Sequence, residues 1–377
     1  MWSRLTKIAV SAALFGAPIA AWSAPASAVT IGCGSTVAGP ASLSHDLHCH
    51  GDGITLLSGR LDLHHHTISG DGTGTGITVG DQADGYPAVS AAVANGTIAG
   101  FDTGITSPGA DTLSLALTNV TVSESATMGV DGMFITSTSL DHVTLTRNPG
   151  TAIEVTFPNS VSIAHSAISH NGNGIVAFSD GHVTIVRTTI TSNTNAIICS
   201  QGLVSLTRSS VSHNSSGVQL SLCEGSTLTD STFVGNTNAA SEETDGFTDI
   251  ANPTLTVRGD TFESNQVGLH LTTNAMAVVV RDSVFRANGQ GVVMDACDTE
   301  YGPCDVPISD EFVNNVFTRN KGNGLTWGFG TVRLSHNHFV NNGGWGFFAA
   351  DGTTVVDAGN NDAHDNGLGG CQGLTCS

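Results

Sequence analysis

The sequence predicts an all-β, single-domain solenoid of about 13 to 14 stacked coils. The prediction starts from an apolar residue and an asparagine three positions later, which recur together along the chain. The apolar series is Ile168, Ile190, Val211, Phe233, Phe262, Phe285, Phe317 and Phe339, and the asparagines are Asn171, Asn193, Asn214, Asn236, Asn265, Asn288, Asn320 and Asn342. Successive members are 22, 21, 22, 29, 23, 32 and 22 residues apart. A near-constant period of this length indicates a stacked-repeat architecture.

The repeating unit consists of short strands, because roughly 22 residues are too few for a pair of helices. The segments 161–163 and 183–185 alternate apolar and polar residues at the strand period of two. The register extends through Leu145, Val122, Ile98, Ile68 and Leu47 in one direction and to Ala363 in the other. We therefore expect residues 29–377 to form one domain whose apolar column points inward, with a spacing of about 4.8 Å per coil.

A second column lies six residues before each asparagine. Its members are His65, Asn95, Asn119, His142, His165, Arg187, Arg208, Asp230, Gly259, Asp282, Asn314, His336 and Asn360. Asn, Asp, His and Gly tolerate left-handed backbone, so this column predicts a tight bend between strands. The asparagine column predicts another bend, where stacked amides bond to neighbouring coils. His142, His165 and His336 are accordingly interpreted as structural, with catalysis as the alternative.

Residues 1–28 have the features of a secretory signal peptide. Arg4 and Lys7 precede an apolar stretch from Ile8 to about Trp22, and 26–28 form a small-residue cleavage site. A membrane anchor is the alternative, but the apolar stretch is shorter than about 18 residues. The sequence therefore predicts a secreted, extracellular protein.

The chain is strongly acidic, with 12 basic and 32 acidic residues. Removal of residues 1–28 would leave ten basic residues against 32 acidic ones, a net charge of −22. This charge argues against nucleic acid or an anionic membrane as a partner. Solubility is the alternative explanation for the charge, and the sequence does not predict an oligomeric state.

Eight cysteines in an exported chain predict four disulfides. Proximity along the chain favours the pairs Cys33–Cys49, Cys199–Cys223, Cys297–Cys304 and Cys371–Cys376. The first and last pairs would pin the two ends of the solenoid, where strand edges are open. A metal–thiolate site is disfavoured because the sequence contains no CxxC pair.

Three long intervals between repeats predict insertions at 80–89, 242–253 and 296–311. The last two belong to coils two apart, so their bases should lie about 10 Å from each other. Together they carry Glu242, Glu243, Asp245, Asp249, Asp298, Glu300, Tyr301, Asp305, Asp310 and Glu311. This acidic loop pair is the best candidate site in the sequence, since insertions in solenoids often lie on the binding face.

Within the loop pair, Asp298, Glu300 and Asp305 are the candidate catalytic residues. Glu242 and Glu243 would add carboxylates for substrate binding, and Tyr301 could stack on a sugar ring. Convergent carboxylates could hold Ca²⁺ or act as acid and base on a glycosidic bond. The alternative is a pair of solvated acidic loops, and no other cofactor is predicted.

Two arginine pairs share a column, Arg187 with Arg208 and Arg258 with Arg281. Asp230 and Asp282 lie next to these pairs in the register, so internal ion pairing is the first interpretation. The alternative is that Arg258 and Arg281 hold the carboxylate of an acidic sugar.

The histidines His45, His48, His50, His64, His65 and His66 are dense enough to consider a metal site. The register places only His66 over His45, whereas a metal site needs three or four convergent ligands. No metal site is predicted here.

The segment 61–72, LDLHHHTISGDG, followed by 95–105, NGTIAGFDTGI, resembles the opening of secreted right-handed parallel β-helix proteins of the pectin-lyase-like superfamily. Members usually read LDLNGHTISG there, so His65 replaces a glycine. The segments 359–361 and 371–376 resemble the end of bacterial, especially actinobacterial, members. The resemblance implies a right-handed parallel β-helix.

That superfamily includes pectate lyases, polygalacturonases, and alginate epimerases and lyases, together with proteins of no known activity. The catalytic signatures RxPxxR, GHG with RIK, and DPHD are absent from this sequence, so no catalytic residue is carried over. Two hypotheses follow. The protein binds an extracellular polysaccharide and, if it is an enzyme, acts as a lyase, epimerase or glycoside hydrolase. Alternatively, it is a non-catalytic surface or adhesion protein.

Overall fold

The computed structural model describes residues 31–80, 89–109, 112–133, 135–156, 159–243, 255–272, 277–295 and 309–377. These residues form 40 strands, paired in parallel and wound into a solenoid of about 13 coils. The all-β solenoid prediction is confirmed. The predicted signal peptide lies outside the described residues. Within them, no helix is long and apolar enough to cross a membrane.

Each complete coil contributes strands to three faces, which we call A, B and C in the order the chain visits them. Face A comprises Ser35–Ala38, Thr75–Val79, Thr103–Thr106, Met128–Asp131, Thr151–Val155, Asn173–Phe178, Asn195–Ser200, Ser216–Ser221, Asn238–Glu243, Val267–Leu271, Gln290–Met294, Leu325–Trp327, Trp345–Ala349 and Gly369–Gln372. Face B comprises Ala41–Ser42, Ile135–Asp141, Ser160–Ala164, His182–Val186, Leu203–Thr207, Ser226–Thr229, Leu255–Arg258, Val278–Arg281, Ser309–Val313, Thr331–Ser335 and Thr354–Asp357.

Face C has the shortest strands. They are Leu47–His48, Thr67–Ser69, Thr144–Thr146, Ala167–Ser169, Thr189–Thr191, Ser210–Ser212, Thr232–Val234, Thr261–Glu263, Val284–Arg286, Val316–Thr318, His338–Val340 and Asp362–His364. Three longer strands turn a corner: Ile54–Asp62 runs from face A to face B, and Val89–Ala99 and Thr112–Ser123 run from face B to face C.

The predicted apolar column lies on face C and is buried. Phe233 pairs in register with Phe262, and Phe262 with Phe285. The rings in both pairs stack with centroids 4.6 Å apart. The stack continues through Phe317 to Phe339, with centroids 5.0 and 4.8 Å apart. All five side chains are fully buried, and burying each should contribute on the order of 2 kcal/mol.

The asparagine column forms a buried ladder at the corner between faces C and A. Asn214 is typical: its Oδ1 accepts both the backbone N–H and the side-chain amide of Asn193, at 2.9 and 3.1 Å. Its own Nδ2 donates to the Ile190 carbonyl at 3.2 Å. Each rung thus satisfies backbone groups that the turn removes from strand pairing. The predicted role is confirmed, and Asn148 extends the ladder below Asn171.

The left-handed backbone at this corner falls one residue earlier than the sequence predicted. The positive φ angles belong to the residues before the asparagines, for example Ser192 at 58° and His213 at 55°. The asparagine side chain forms its hydrogen bonds inside the solenoid, while the exposed residue before it adopts the left-handed backbone of the turn.

The corner between faces B and C matches the second predicted column. Every member has a positive φ, from 49° at His165 and Arg208 to 69° at Gly259. The following residue carries a second buried ladder. The Thr188 backbone N–H donates to Ser209 Oγ at 3.1 Å, and the Asn315 backbone N–H donates to Asn337 Oδ1 at 3.0 Å. This stabilisation offsets the cost of left-handed backbone at residues such as Arg187, about 1 to 2 kcal/mol each.

Three predicted disulfides are present: Cys33–Cys49, Cys199–Cys223 and Cys371–Cys376. Cys199 lies on a face A strand, and Cys223 follows the face A strand of the next coil. This bond therefore ties adjacent coils together, as expected. Cys297 and Cys304 lie outside the described residues.

The insertions leave the solenoid at the corner between faces A and B, after the face A strands that end at Val79, Glu243 and Met294. Each predicted insertion overlaps a strand at one boundary. Val89 begins the strand Val89–Ala99, and Glu242 and Glu243 end the strand Asn238–Glu243. Asp310 and Glu311 belong to the face B strand Ser309–Val313 rather than to an insertion. Asp310 is fully buried. It lies in the same column as Val278 of the preceding coil and Val332 of the next coil, and both of those side chains point into the core. It is therefore not available to a surface site.

Candidate functional site

The two acidic insertions flank one edge of face A. Glu242 and Glu243 end the strand Asn238–Glu243, and Asp295 directly follows the strand Gln290–Met294. One face A strand, Val267–Leu271, pairs with both of these strands. The insertion bases are thus two coils apart, as predicted, which corresponds to roughly 10 Å. Asp298, Glu300, Tyr301 and Asp305 lie outside the described residues.

Arg258 and Arg281 lie elsewhere. They end adjacent face B strands, at the far end from the insertions, and pair in register. Arg258 Nε is 3.6 Å from Asp282 Oδ2, and Arg281 Nη2 is 2.5 Å from Glu311 Oε2. Each arginine therefore has an internal carboxylate partner, as the first interpretation held. Both arginines thus lie on face B, whereas the strand Asn238–Glu243 lies on face A.

The second arginine pair, Arg187 with Arg208, does not follow the interpretation of internal ion pairing. Arg187 and Arg208 are exposed, in consecutive coils of the corner between faces B and C. Neither forms an ion pair with any of the described residues. The expected pairing through Asp230 is absent there.

His270 occupies the coil between the two insertions. Its Nε2 lies 2.9 Å from Asp295 Oδ2, and its side chain is 29 % exposed. A carboxylate that is hydrogen-bonded to one ring nitrogen fixes the orientation of the imidazole ring. It leaves the other nitrogen free for proton transfer or hydrogen bonding. Sequence reasoning missed this pair. The available signal was the outward position of His270 in a strand bordered by insertions on both sides.

His270 lines an open groove of about 440 Å³ along face A. Its polar walls are Gln219 and Ser241, which precede His270 in the same outward column. The complete lining is Ile198, Cys199, Ser200, Gln219, Leu220, Ser221, Asn238, Ser241, His270 and Thr272. Amide, hydroxyl and imidazole groups over an apolar floor suit a ligand that presents many hydroxyls.

A second depression of about 750 Å³ adjoins the corner between faces A and B. Asp180, His182 and Glu224 give it titratable groups, and Gln201 a side-chain amide. Gln201 directly follows Ser200, which lines the face A groove, so the two depressions have neighbouring walls.

A carboxylate pair lies upstream in the same outward column of face A. Asp131 pairs in register with Glu154, which pairs with Val176 and then Ile198. Asp131 accepts hydrogen bonds from Thr106 Oγ1 at 2.8 Å and from the Met133 N–H at 3.0 Å. Burial, and then the charge of Asp131, raise the pKa of Glu154.

The histidine run does not converge on one point. His48 Nδ1 contacts Ser69 Oγ at 2.7 Å, His50 Nδ1 contacts Asp71 at 3.0 Å, and His66 Nδ1 contacts Asp46 at 3.2 Å. Among the described residues, one different group brings three metal-ligating side chains together: Asp141, His142 and His165.

Comparison with protein families gives two matches. Residues 53–252 match the family described as right handed beta helix region, in agreement with the predicted handedness. Residues 236–372 match a second family, described as periplasmic copper-binding protein (NosD). No curated protein matches this chain.

Solved structures that are similar to this chain have low sequence identity to it. The periplasmic alginate epimerase AlgG is 13 % identical with a TM-score of 0.40, over 83 % of this chain and 77 % of that one. The A-module of the Azotobacter vinelandii mannuronan C-5 epimerase AlgE4 is 10 % identical with a TM-score of 0.38, over 92 % of this chain and 91 % of that one. Likeness at this level carries no argument about activity.

Proposed function

The chain belongs to the right-handed β-helix family, and we propose that it uses face A of this scaffold to bind an extracellular polysaccharide. The binding centre is the groove around His270, between the two acidic insertions. Because the coils repeat at about 4.8 Å along the axis, successive face A positions offer a linear series of contacts to an extended chain.

The observation that carries the proposal is the His270–Asp295 pair in an open, polar-lined groove. Sugar hydroxyls both donate and accept hydrogen bonds, and Gln219, Ser241 and His270 supply both kinds of partner. The outward column of face A continues beyond the groove, to Val176 on one side and to Val293 on the other. An open groove accepts an internal segment of a polymer, whereas a closed pocket would accept only a small molecule or a chain end.

Chemistry on the bound chain is the second part of the proposal. Asp298, Glu300 and Asp305 belong to the insertion that follows Asp295 and are proposed as acid and base groups. Glu242 and Glu243 would assist at the base of the other insertion, with Ca²⁺ as a candidate ligand of these carboxylates. Tyr301 would stack on a sugar ring. Arg258 and Arg281 remain candidates for binding the carboxylate of an acidic sugar only if the bound polysaccharide extends beyond face A onto face B.

We also propose that the protein works outside the cytoplasm. Three disulfides join the described cysteines, and such bonds persist in oxidising compartments. Residues 1–28 would direct export.

The test is a screen of the purified chain against pectin, alginate and neutral glycans, with and without Ca²⁺. Binding, unsaturated products and new reducing ends are measured. We expect binding to at least one polymer and its loss in His270→Asn and Asp295→Asn. Turnover that disappears in Asp298→Ala would assign the enzyme, whereas unchanged binding without turnover would assign a carbohydrate-binding protein.

His338→Asn is the matched control, because His338 also contacts an aspartate, Asp362, at 3.3 Å but lies on face C. It should bind like the unmodified chain. An absence of binding to every polymer would overturn the proposal and favour a structural or adhesion role.

A further inference from the structure

A cluster of metal-ligating side chains lies on the corner between faces B and C, apart from the face A groove. Asp141 ends the face B strand Ile135–Asp141, and His142 follows it at the corner. Asp141 pairs in register with Ala164, so His165 occupies the same corner position one coil further on. All three side chains are between 41 and 58 % exposed.

The three side chains converge on a single point. Asp141 Oδ1 lies 2.9 Å from His165 Nδ1 and 3.1 Å from His142 Nδ1. The two imidazole rings stack with centroids 5.1 Å apart and an interplanar angle of 21°. One ligand atom from each residue lies within 4.8 Å of the others.

The two separations that involve Asp141 match the edges of a metal coordination shell, and the histidine nitrogens lie within 4.8 Å of each other. With metal–ligand bonds of about 2.0 to 2.2 Å, neighbouring ligand atoms are about 2.9 to 3.5 Å apart in octahedral or tetrahedral geometry. Both Asp141–histidine distances fall within this range. A metal ion would therefore replace the hydrogen bonds with small movements of exposed side chains.

The local charge also suits a cation. Asp141 contributes the carboxylate of the cluster. Arg187 is the charge that opposes a cation, because it continues the column one coil beyond His165. Its exposed, flexible side chain can point away, and Asp141 supplies the compensating negative charge.

We propose that Asp141, His142 and His165 bind a divalent transition metal such as Zn²⁺, through one carboxylate oxygen and two imidazole nitrogens. Imidazole and carboxylate together are a usual donor set for this class of ion. Three protein ligands leave coordination positions open to water or to an anion. The ion would also bridge two consecutive coils. The cluster lies outside residues 236–372, the segment that matches the copper-binding family.

The test is titration of the full chain with ZnCl₂ by isothermal calorimetry, together with thermal unfolding with and without Zn²⁺. We expect His165→Asn and Asp141→Asn to weaken one binding event by roughly tenfold or more. They should also remove the increase in melting temperature that this event produces. His142→Asn should behave in the same way.

Asparagine is the appropriate replacement for both histidines, because Asn95, Asn119, Asn314 and Asn360 occupy the same corner with positive φ. Circular dichroism of the variants should therefore be unchanged. His336→Asn is the matched control: His336 lies in the same column but contacts Asn360 instead of a carboxylate. Equal Zn²⁺ affinity in the unmodified chain, His165→Asn and His336→Asn would overturn the proposal, as would the absence of binding.

Discussion

The rings of Phe262 and Phe285 stack in adjacent coils with centroids 4.6 Å apart and planes within 2° of parallel. Parallel strand pairing places identical positions directly above one another, so one phenylalanine per coil produces a continuous aromatic stack. Offset stacking adds about 0.5 to 1.5 kcal/mol per pair beyond the burial of area. Face C is therefore the stabilising spine of the solenoid.

Phe262→Ala should strongly destabilise the protein, because it opens a cavity between two stacked rings. We expect the free energy of unfolding to fall by about 3 to 5 kcal/mol. Phe262→Leu should lower the free energy of unfolding by less than this range. Urea denaturation monitored by circular dichroism measures both variants. Phe178→Ala is the control, since that ring is 38 % exposed on face A. Equal effects at 178 and 262 would contradict the role of the stack.

Asn214→Ala should break the buried ladder at the corner between faces C and A. The substitution removes the acceptor of the Asn193 backbone N–H and of its side-chain amide. Two buried donors without partners should lower the free energy of unfolding by roughly 2 kcal/mol or more. Asn195→Ala is the matched control, because Asn195 donates to Asn173 at the partly exposed edge of face A. A comparable loss in both variants would contradict the account.

Two buried carboxyl groups should make stability depend on pH. Burial raises the pKa of Asp260 and of Asp310 from the ordinary 3.8 to about 7. Between these values the folded chain holds more protons than the unfolded chain, so the free energy of unfolding falls as pH rises from about 4 to 7. The effect is on the order of 4 kcal/mol for each group.

Urea denaturation at pH 4.5 and pH 8 tests this dependence in Asp260→Asn and Asp310→Asn. When the pH is raised from 4.5 to 8, the free energy of unfolding of each variant should fall by less than that of the unmodified chain. Asp260→Asn should also fold well, because Asn315, Asn337 and Asn361 occupy the same ladder. Identical pH profiles in the variants and the unmodified chain would refute buried ionisation as the cause.

Loss of the Cys199–Cys223 bond should destabilise the central coils. The bond closes a segment with a sequence separation of 24 residues, for which chain entropy predicts about 3 kcal/mol. The double variant Cys199→Ala with Cys223→Ala, compared by thermal unfolding, measures the loss. Cys371→Ala with Cys376→Ala is the comparison, and it should cost less because its sequence separation is 5 residues. The reverse order would contradict this expectation.

The periodic parts of the fold were predictable because parallel stacking converts a sequence period into a spatial column. Phe233, Phe262 and Phe285 could be placed in contact from their spacing alone. The bend at His142 and His165 followed from the residue types that accept left-handed backbone. The disulfide between Cys199 and Cys223 followed from their separation of about one coil.

The remaining features depend on the directions of individual side chains, which the repeat period of the sequence does not determine. His270 and Asp295 occupy different columns, and only the geometry of the strand end brings them within 2.9 Å. The predicted insertion includes Asp310, because the long interval between Phe285 and Phe317 does not show where the insertion ends. The strand register instead directs Asp310 into the core. Arg258 and Arg281 were placed in the correct column, but the column lies on another face from the groove.

The most direct test of the central claim is hydrogen–deuterium exchange with and without the polysaccharide that binds best in the screen. The account predicts added protection in the face A strands Asn238–Glu243, Val267–Leu271 and Gln290–Met294. The face C strands Thr261–Glu263 and Val284–Arg286 belong to the same region of the solenoid and should not change. Protection confined to faces B or C, with face A unchanged, would contradict the assignment of the groove as the binding surface.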